Sequence, residues 1–165
     1  RCVGTLRPKS EGGLFIGKED ERKLILRLIA EYNPFLLDVE FNAIQKDKKL
    51  ASYLRKTKCK LLISWHDFKK TPNESQLKTK FNKMAKFSDI VKIVTVANSV
   101  SDASRLLSLY SIKSENETIA FCMGEQGKFS RILCLHLGSP FTYVSLGKAI
   151  APGQFSLREI KSLEC

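Results

Sequence analysis

Strand-like and helix-like segments alternate six times along this 165-residue chain. No other feature constrains the fold as much, because strict alternation with short breaks builds a parallel sheet with helices packed outside it. The strand-like segments are Cys2 to Leu6, Phe35 to Phe41, Lys60 to Trp65, Asp89 to Val96, Thr118 to Met123 and Phe141 to Ser145. Between them run helical patterns. Lys18 to Glu31 carries an apolar stripe of Leu24, Ile25, Leu28 and Ile29, and Asn33-Pro34 ends it. Asp47 to Lys56 is shorter, and Thr71-Pro72-Asn73 opens a helix with Leu77, Phe81, Met84 and Ala85 on one face. Ser101 to Ser111, Lys128 to Leu137 and a closing Ser156 to Leu163, with Ser156 as its cap, complete the set. Six such units fit either a doubly wound sheet or most of a (β/α)8 barrel. No Gly-x-Gly-x-x-Gly follows the first strand and there is no P-loop, so a dinucleotide-binding sheet has no support.

One strand is chemically unusual. Asp89-Ile90-Val91-Lys92-Ile93-Val94-Thr95-Val96 has β-branched residues on both faces, the pattern of a strand buried on both sides, yet Lys92 sits in its middle. Burial strips hydration from an ammonium and favours the neutral amine. A neutral amine can attack a carbonyl and form a Schiff base. The bland alternative is an edge strand with Lys92 pointing to water.

The net charge of +11 raises nucleic acid or an anionic membrane surface as partners. The lysines are scattered over helices and turns without interleaved aromatics, which favours a solvated basic surface instead. No apolar run is long enough to span a membrane. The five cysteines, Cys2, Cys59, Cys122, Cys134 and Cys165, are odd in number and form no Cys-x-x-Cys pair. That suggests neither a zinc site nor a disulfide framework, and Cys122 and Cys134 read as core. The chain opens Arg1-Cys2-Val3 with no leader pattern, and is expected to begin in mid-fold, as a processed chain or a fragment.

The residues with chemical potential fall after strand ends, where parallel α/β folds place their sites. Arg7 and Glu11 follow the first strand, His66 ends the third, Arg131 follows the fifth and Gln154 the sixth. His66, on the strand before that of Lys92, suits general acid–base work. Its bland reading is a hydrogen-bonded core histidine, and His136, near the end of an apolar helix, reads as structural. Arg131, in the first turn of a helix, is placed to hold a carboxylate or is a plain surface arginine.

Six segments, in order, resemble type I 3-dehydroquinate dehydratase. They are Thr5-Leu6-Arg7-Pro8-Lys9-Ser10-Glu11-Gly12-Gly13; Asp38-Val39-Glu40; Ser64-Trp65-His66-Asp67-Phe68 with Lys70-Thr71-Pro72; Asp89-Ile90-Val91-Lys92-Ile93; Met123-Gly124 to Gly127 with Ser130-Arg131; and Ala151-Pro152-Gly153-Gln154. The resemblance implies a TIM-type (β/α)8 barrel spanning residues 1–165 as one domain, with about six of the eight units present. It implies conversion of 3-dehydroquinate to 3-dehydroshikimate and water in the shikimate pathway of aromatic amino acid biosynthesis, with no cofactor or metal. Lys92 would form the imine, His66 would move protons and Glu11 would orient it. Arg131 would bind the substrate carboxylate, Arg7 and Gln154 would contact other polar groups, and Met123 and Tyr143 would line the pocket. A cytoplasmic location is expected, or a plastid for a plant-type bifunctional protein. The partners expected are the small-molecule substrate, and a homodimer or a fused shikimate dehydrogenase, with neither nucleic acid nor membrane.

Three departures stand out. The family's first two strand–helix units have no counterpart here, Ile150 stands where serine is common, and Trp65 precedes His66 where a smaller or more polar residue is usual. Six strands cannot close an eight-stranded barrel undistorted, so an open sheet or pairing with another chain is expected. An inactive remnant of the family, a nucleic-acid module argued from charge alone, and a class I aldolase-type lyase are the alternatives. The aldolase reading leaves the Glu-Gly-Gly and Ala-Pro-Gly-Gln segments unexplained.

Overall fold

The structure, a computed structural model, describes residues 1–147 and 149–163. Lys148 and Cys165 lie outside the described residues. Five strands form one parallel sheet in the order β1 (Val3–Thr5), β2 (Leu36–Glu40), β3 (Leu61–Asp67), β4 (Ile90–Val96) and β5 (Glu117–Met123). The helices are α1 (Glu19–Glu31), α2 (Phe41–Lys46), α3 (Lys48–Lys56), α4 (Glu74–Ala85), α5 (Val100–Leu107), α6 (Ser130–His136) and α7 (Leu157–Leu163). The α/β class read from the alternation is the class observed.

The sixth strand is a correction. Phe141 to Ser145 is rich in β-branched and aromatic residues, but strand identity needs a ladder partner as well as propensity. Among the described residues its only bridge is a single pairing of Ser145 with Ser156. Phe41 is a second correction: the strand stops at Glu40, and Phe41 opens α2 with its ring buried.

The chain divides into two compact units. The first comprises Arg1–His66 and Lys80–Lys92, the second Asp67–Thr79 and the chain from Ile93 onward. In the first, β2 is buried at all five residues. Its register sets Gly4 against Leu37, Thr5 against Asp38, Asp38 against Leu62 and Glu40 against Ser64. Side chains alternate across a strand. Leu37, Val39 and Ile63 therefore share the face that carries Gly4, where a Cβ would lie 2.8 Å from Ile29 of α1. That is the helix-facing core. Asp38, Glu40, Ser64 and His66 share the other face. Trp65 lies on the helix side of β3, where the Lys80 ammonium sits 4.5 Å from its ring centroid. This accounts for a large aromatic directly before His66: alternation turns it away from the histidine.

The buried face of α1 differs from the expected stripe. Leu24 and Leu28 are more than half exposed, and the buried positions are Arg22, Leu26 and Ala30, spaced four apart. The apolar stripe is not the buried face because a charged residue, Arg22, holds one of the buried positions. Arg22 can do so because Glu19, Glu40 and the Leu6 carbonyl surround its guanidinium.

In the second unit, Thr71 Oγ1 lies 2.7 Å from Thr95 Oγ1 and donates to the Val96 carbonyl. Tyr110 Oη both accepts from Ala120 N and donates to Ala120 O, which ties the turn after α5 to β5. Ser156 caps α7, its hydroxyl accepting from Glu159 N while Glu159 accepts from Ser156 N. Cys122 and Cys134 are buried, as expected of core thiols. No helix among the described residues is long and apolar enough to cross a membrane.

Candidate active site

The first unit gathers Arg7, Glu11, His66 and Lys92 with three residues the sequence reading did not assign, Asp38, Glu40 and Ser64. Lys92 is 5% exposed at the middle of β4, which removes the edge-strand alternative. Its Nζ donates to Asp38 Oδ2 at 3.2 Å. Asp38 is itself buried and is held by three donors: Lys92, Arg7 Nη2 at 2.6 Å on the same oxygen, and Ser64 Oγ at 2.5 Å on Oδ1. Burial alone would raise its pKa. The Lys92 and Arg7 charges and the Ser64 hydroxyl outweigh burial and hold the carboxyl at about 2. For Lys92 burial wins: it pushes the amine below its ordinary value, with Arg7 adding and Asp38 opposing.

Arg7 reaches this cluster from the loop after β1. Pro8 bridges Phe15, and the turn Lys9–Glu11 ends on Gly12 at φ 81°, a left-handed conformation that glycine adopts without steric cost. A Cβ at Gly13 would fall 1.9 Å from the Arg7 carbonyl oxygen. The Glu-Gly-Gly run is thus what lets Glu11 fold back beneath Arg7. Glu11 is 4% exposed, with Oε1 accepting from Asn42 Nδ2 and Oε2 lying 3.1 Å from His66 Nδ1.

The protonation of His66 follows from counting donors. Burial, then the Lys92 and Arg7 charges, push it down to about 2, so it is neutral at every working pH and its contact with Glu11 is a hydrogen bond rather than an ion pair. Arg7 Nη1 lies within 3.2 Å of Glu40 Oε1, Ser64 Oγ and His66 Nδ1 but has two N–H groups. Glu40 and Ser64 take those two. Nδ1 then carries the histidine's proton and donates it to Glu11, which leaves Nε2 as the basic nitrogen. This holds while Glu11 is ionised. Burial and the Glu40 carboxylate push Glu11 up to about 7, against Arg7 and Asn42. Protonated Glu11 would donate to Nδ1 and so reverse the tautomer.

Two expectations follow for Glu11→Gln. Glu11 ionises near its ordinary 4.5 when unfolded and near 7 when folded, so the folded protein holds the proton across that interval. Stability from this group is present below the lower value and is lost as pH rises through the upper one. Glutamine matches the protonated acid in shape. The variant should unfold like the parent at about pH 4 and be more stable by up to about 3 kcal/mol at about pH 8, read by denaturant titration at both values. The same glutamine fixes Nδ1 as an acceptor, so any base catalysis by Nε2 falls and the ascending limb near neutral pH disappears.

The second unit holds the other expected site residues. Ser130 Oγ accepts from Cys122 N and donates to the Gly127 carbonyl, so it fastens the start of α6 to β5 and fixes the next residue, Arg131. Arg131 is 2% exposed, so it is not a surface arginine. Its guanidinium lies 4.6 Å from the Phe121 ring centroid and Nη2 donates to the Pro152 carbonyl at 3.3 Å. Its buried Nε has no hydrogen-bond partner, and no carboxylate pairs with it among the described residues. Burial lowers its pKa to about 10. A buried guanidinium without a counter-charge is costly. The Tyr143 ring is tilted against that of Phe121 with centroids 6.0 Å apart, and Met123 is buried at the end of β5. Gln154 Oε1 accepts from Ile150 N, and the Ile150 side chain is 90% exposed.

Asp38 and Glu40 carried a signal that could have been read. Two acidic residues two apart in an otherwise apolar strand share one face, and that face must supply cations.

A family model described as type I 3-dehydroquinase matches residues 2–163. Among curated relatives, a 3-dehydroquinate dehydratase of Pyrobaculum aerophilum is 42% identical over 93% of this chain, and the chain spans half of that protein's length. One of Dehalococcoides mccartyi is 38% identical, over 96% of the chain and 72% of the relative. A crystal structure of type I 3-dehydroquinate dehydratase from Clostridium difficile, described as carrying covalently modified comenic acid, superimposes with a TM-score of 0.86 at 26% identity. It covers 98% of this chain and 66% of that one.

Proposed function

Because the chain belongs to the type I 3-dehydroquinase family, we propose that it dehydrates 3-dehydroquinate to 3-dehydroshikimate through an imine at Lys92. The carrying observation is a buried lysine of lowered pKa whose neighbours are an ionised aspartate and a neutral histidine oriented by a carboxylate.

The lysine gives up a proton, which returns when the carbinolamine hydroxyl departs as water, and its amine attacks the C3 ketone. The resulting carbinolamine loses water and becomes an iminium, which withdraws electrons from the adjacent C–H bond and acidifies it. His66 Nε2 takes that proton. The electron pair forms the new double bond, and the C1 hydroxyl leaves as water with a proton returned by the imidazolium. Hydrolysis of the imine by a second water, which restores the one lost at its formation, releases the enone and regenerates the amine. Net, the substrate loses one water and neither electrons nor protons are left over. Asp38 and Arg7 hold compensating charge as Lys92 cycles between ammonium, amine and iminium. Arg131 takes the substrate carboxylate, for which its unpaired buried guanidinium is suited. Gln154, Met123 and Tyr143 carry substrate-contact roles from the family resemblance.

The test is turnover: the conjugated enone product absorbs in the ultraviolet and the substrate does not. A folded chain should generate that absorbance from 3-dehydroquinate. A chain folded by circular dichroism that leaves the substrate unchanged would overturn the dehydratase reading and favour an inactive relative.

A further inference from the structure

Charges of alternating sign run in one line from the outer face of α1 to the amine of Lys92. Glu19, about half exposed, holds Arg22 at 2.7 Å, and Arg22 Nη1 meets Glu40 Oε2 at 2.5 Å. Glu40 Oε1 meets Arg7 Nη1 at 3.1 Å, Arg7 Nη2 meets Asp38 Oδ2 at 2.6 Å, and Asp38 Oδ2 meets Lys92 Nζ at 3.2 Å. The carboxylates between Arg22 and Lys92 are each shared by two cations, and Arg7 is shared by two carboxylates. A cavity of about 220 Å³ lined by Glu19, Arg22, Glu40, Glu11 and Asn42 opens on the outer half of this line.

We propose that Arg22 is a positioning residue for the Lys92 amine, acting through Glu40, Arg7 and Asp38. The proposal rests on Lys92 being the reacting group of the function given above.

Arg22 occupies a buried helix position where an apolar residue would pack at lower desolvation cost, which is what motivates a role beyond packing. Its guanidinium satisfies one oxygen of Glu40, so only the other oxygen draws on Arg7. Arg7 is thereby free to give Nη2 to Asp38. Without Arg22, Glu40 and Asp38 compete for the single guanidinium of Arg7. One cation has left the neighbourhood of Lys92, and the Asp38 carboxylate is less compensated. Both changes stabilise the ammonium form of Lys92. Asp38 and Glu40 of β2, Arg7 of the loop after β1, and His66 of β3 are charged or titratable groups that act on Lys92 in this unit. Of these, only Glu40 touches Arg22 directly.

The experiment titrates Lys92 without substrate. Competitive acetylation of the full chain with acetic anhydride across pH, read on the peptide that contains Lys92, gives the midpoint of its free amine. Arg22→Met is expected to move that midpoint to higher pH by about one unit and to lower turnover near neutral pH about tenfold. Arg22→Lys keeps the charge but cannot fork between Glu19, Glu40 and the Leu6 carbonyl, and should recover part of both. Glu40→Gln removes a carboxylate and is expected to move the midpoint the other way. Glu19→Gln, at the solvent end, should leave it in place. If Arg22→Met fails to fold, Arg22→Lys carries the test, with a smaller upward shift expected. An unmoved midpoint in either folded variant overturns the proposal, whatever happens to stability, since a purely structural arginine would alter only the unfolding transition. The labelling reads Lys92 whether or not the protein turns over dehydroquinate. An inactive parent would overturn the function, and the midpoints would still decide the role of Arg22.

Discussion

Lys92→Met is expected to lower turnover of 3-dehydroquinate by roughly four orders of magnitude or more, because a nucleophile that forms the covalent intermediate has no substitute in the site. His66 is a second candidate nucleophile only on paper. Its Nδ1 is engaged by Glu11, and an imidazole cannot form the iminium that acidifies the adjacent C–H. The loss should fall on kcat, since the substrate contacts proposed for Arg131 and Gln154 remain. Folding should survive the change. Removing one partner of a buried ion pair is costly when the other is stranded, but Asp38 keeps Arg7 at 2.6 Å and Ser64 at 2.5 Å. Methionine fills the vacated length and removes the desolvation cost of the ammonium. A cooperative unfolding transition beside absent activity is the pair of results that checks this, by denaturant titration and steady-state assay on the same preparation.

His66→Ala should cost about a thousandfold, within the range of a positioned general acid–base group. The imine can still form, because Lys92 is its own nucleophile, but carbinolamine dehydration and proton removal must then rely on water. The variant is therefore expected to accumulate covalent adduct while turning over slowly, and intact mass after reductive trapping measures that accumulation. The pH profile separates the histidine from its carboxylate partner. With His66 held at about 2, the ascending limb near pH 7 belongs to Glu11, which must be ionised to accept from Nδ1 and leave Nε2 basic. A limb that persists unchanged in Glu11→Gln would contradict this assignment.

What the sequence made legible was governed by local pattern. The β-branched run around Lys92 has the pattern of a strand buried on both faces, with an edge strand as its alternative, and β4 is the buried strand. The Arg7, Glu11 and His66 grouping was approached from the other direction, from strand ends, and the structure brings those residues together within one unit. His66 itself lies inside β3, one residue before its end, because the ladder continues to Asp67. The misreadings share a cause: each residue's state was set by a partner distant in sequence. Arg22 looks solvent-facing until Glu40 is placed beside it, and once it is buried the leucines Leu24 and Leu28 must turn outward. Phe141 to Ser145 has strand chemistry, but a strand exists only with a neighbour to pair. Asp38 was visible as an odd residue in an apolar strand. Its role as the counter-charge of Lys92 spans 54 positions, and no local window contains it.

The central claim is a covalent imine at Lys92, and the measurement that tests it most directly is reductive trapping. The protein would be mixed with 3-dehydroquinate, treated with sodium borohydride and digested, and the modified peptide identified by mass. A reduced adduct is expected on the peptide containing Lys92 and is expected to be absent from Lys92→Met. An adduct on any other lysine, or turnover with no trapped adduct, would contradict the claim.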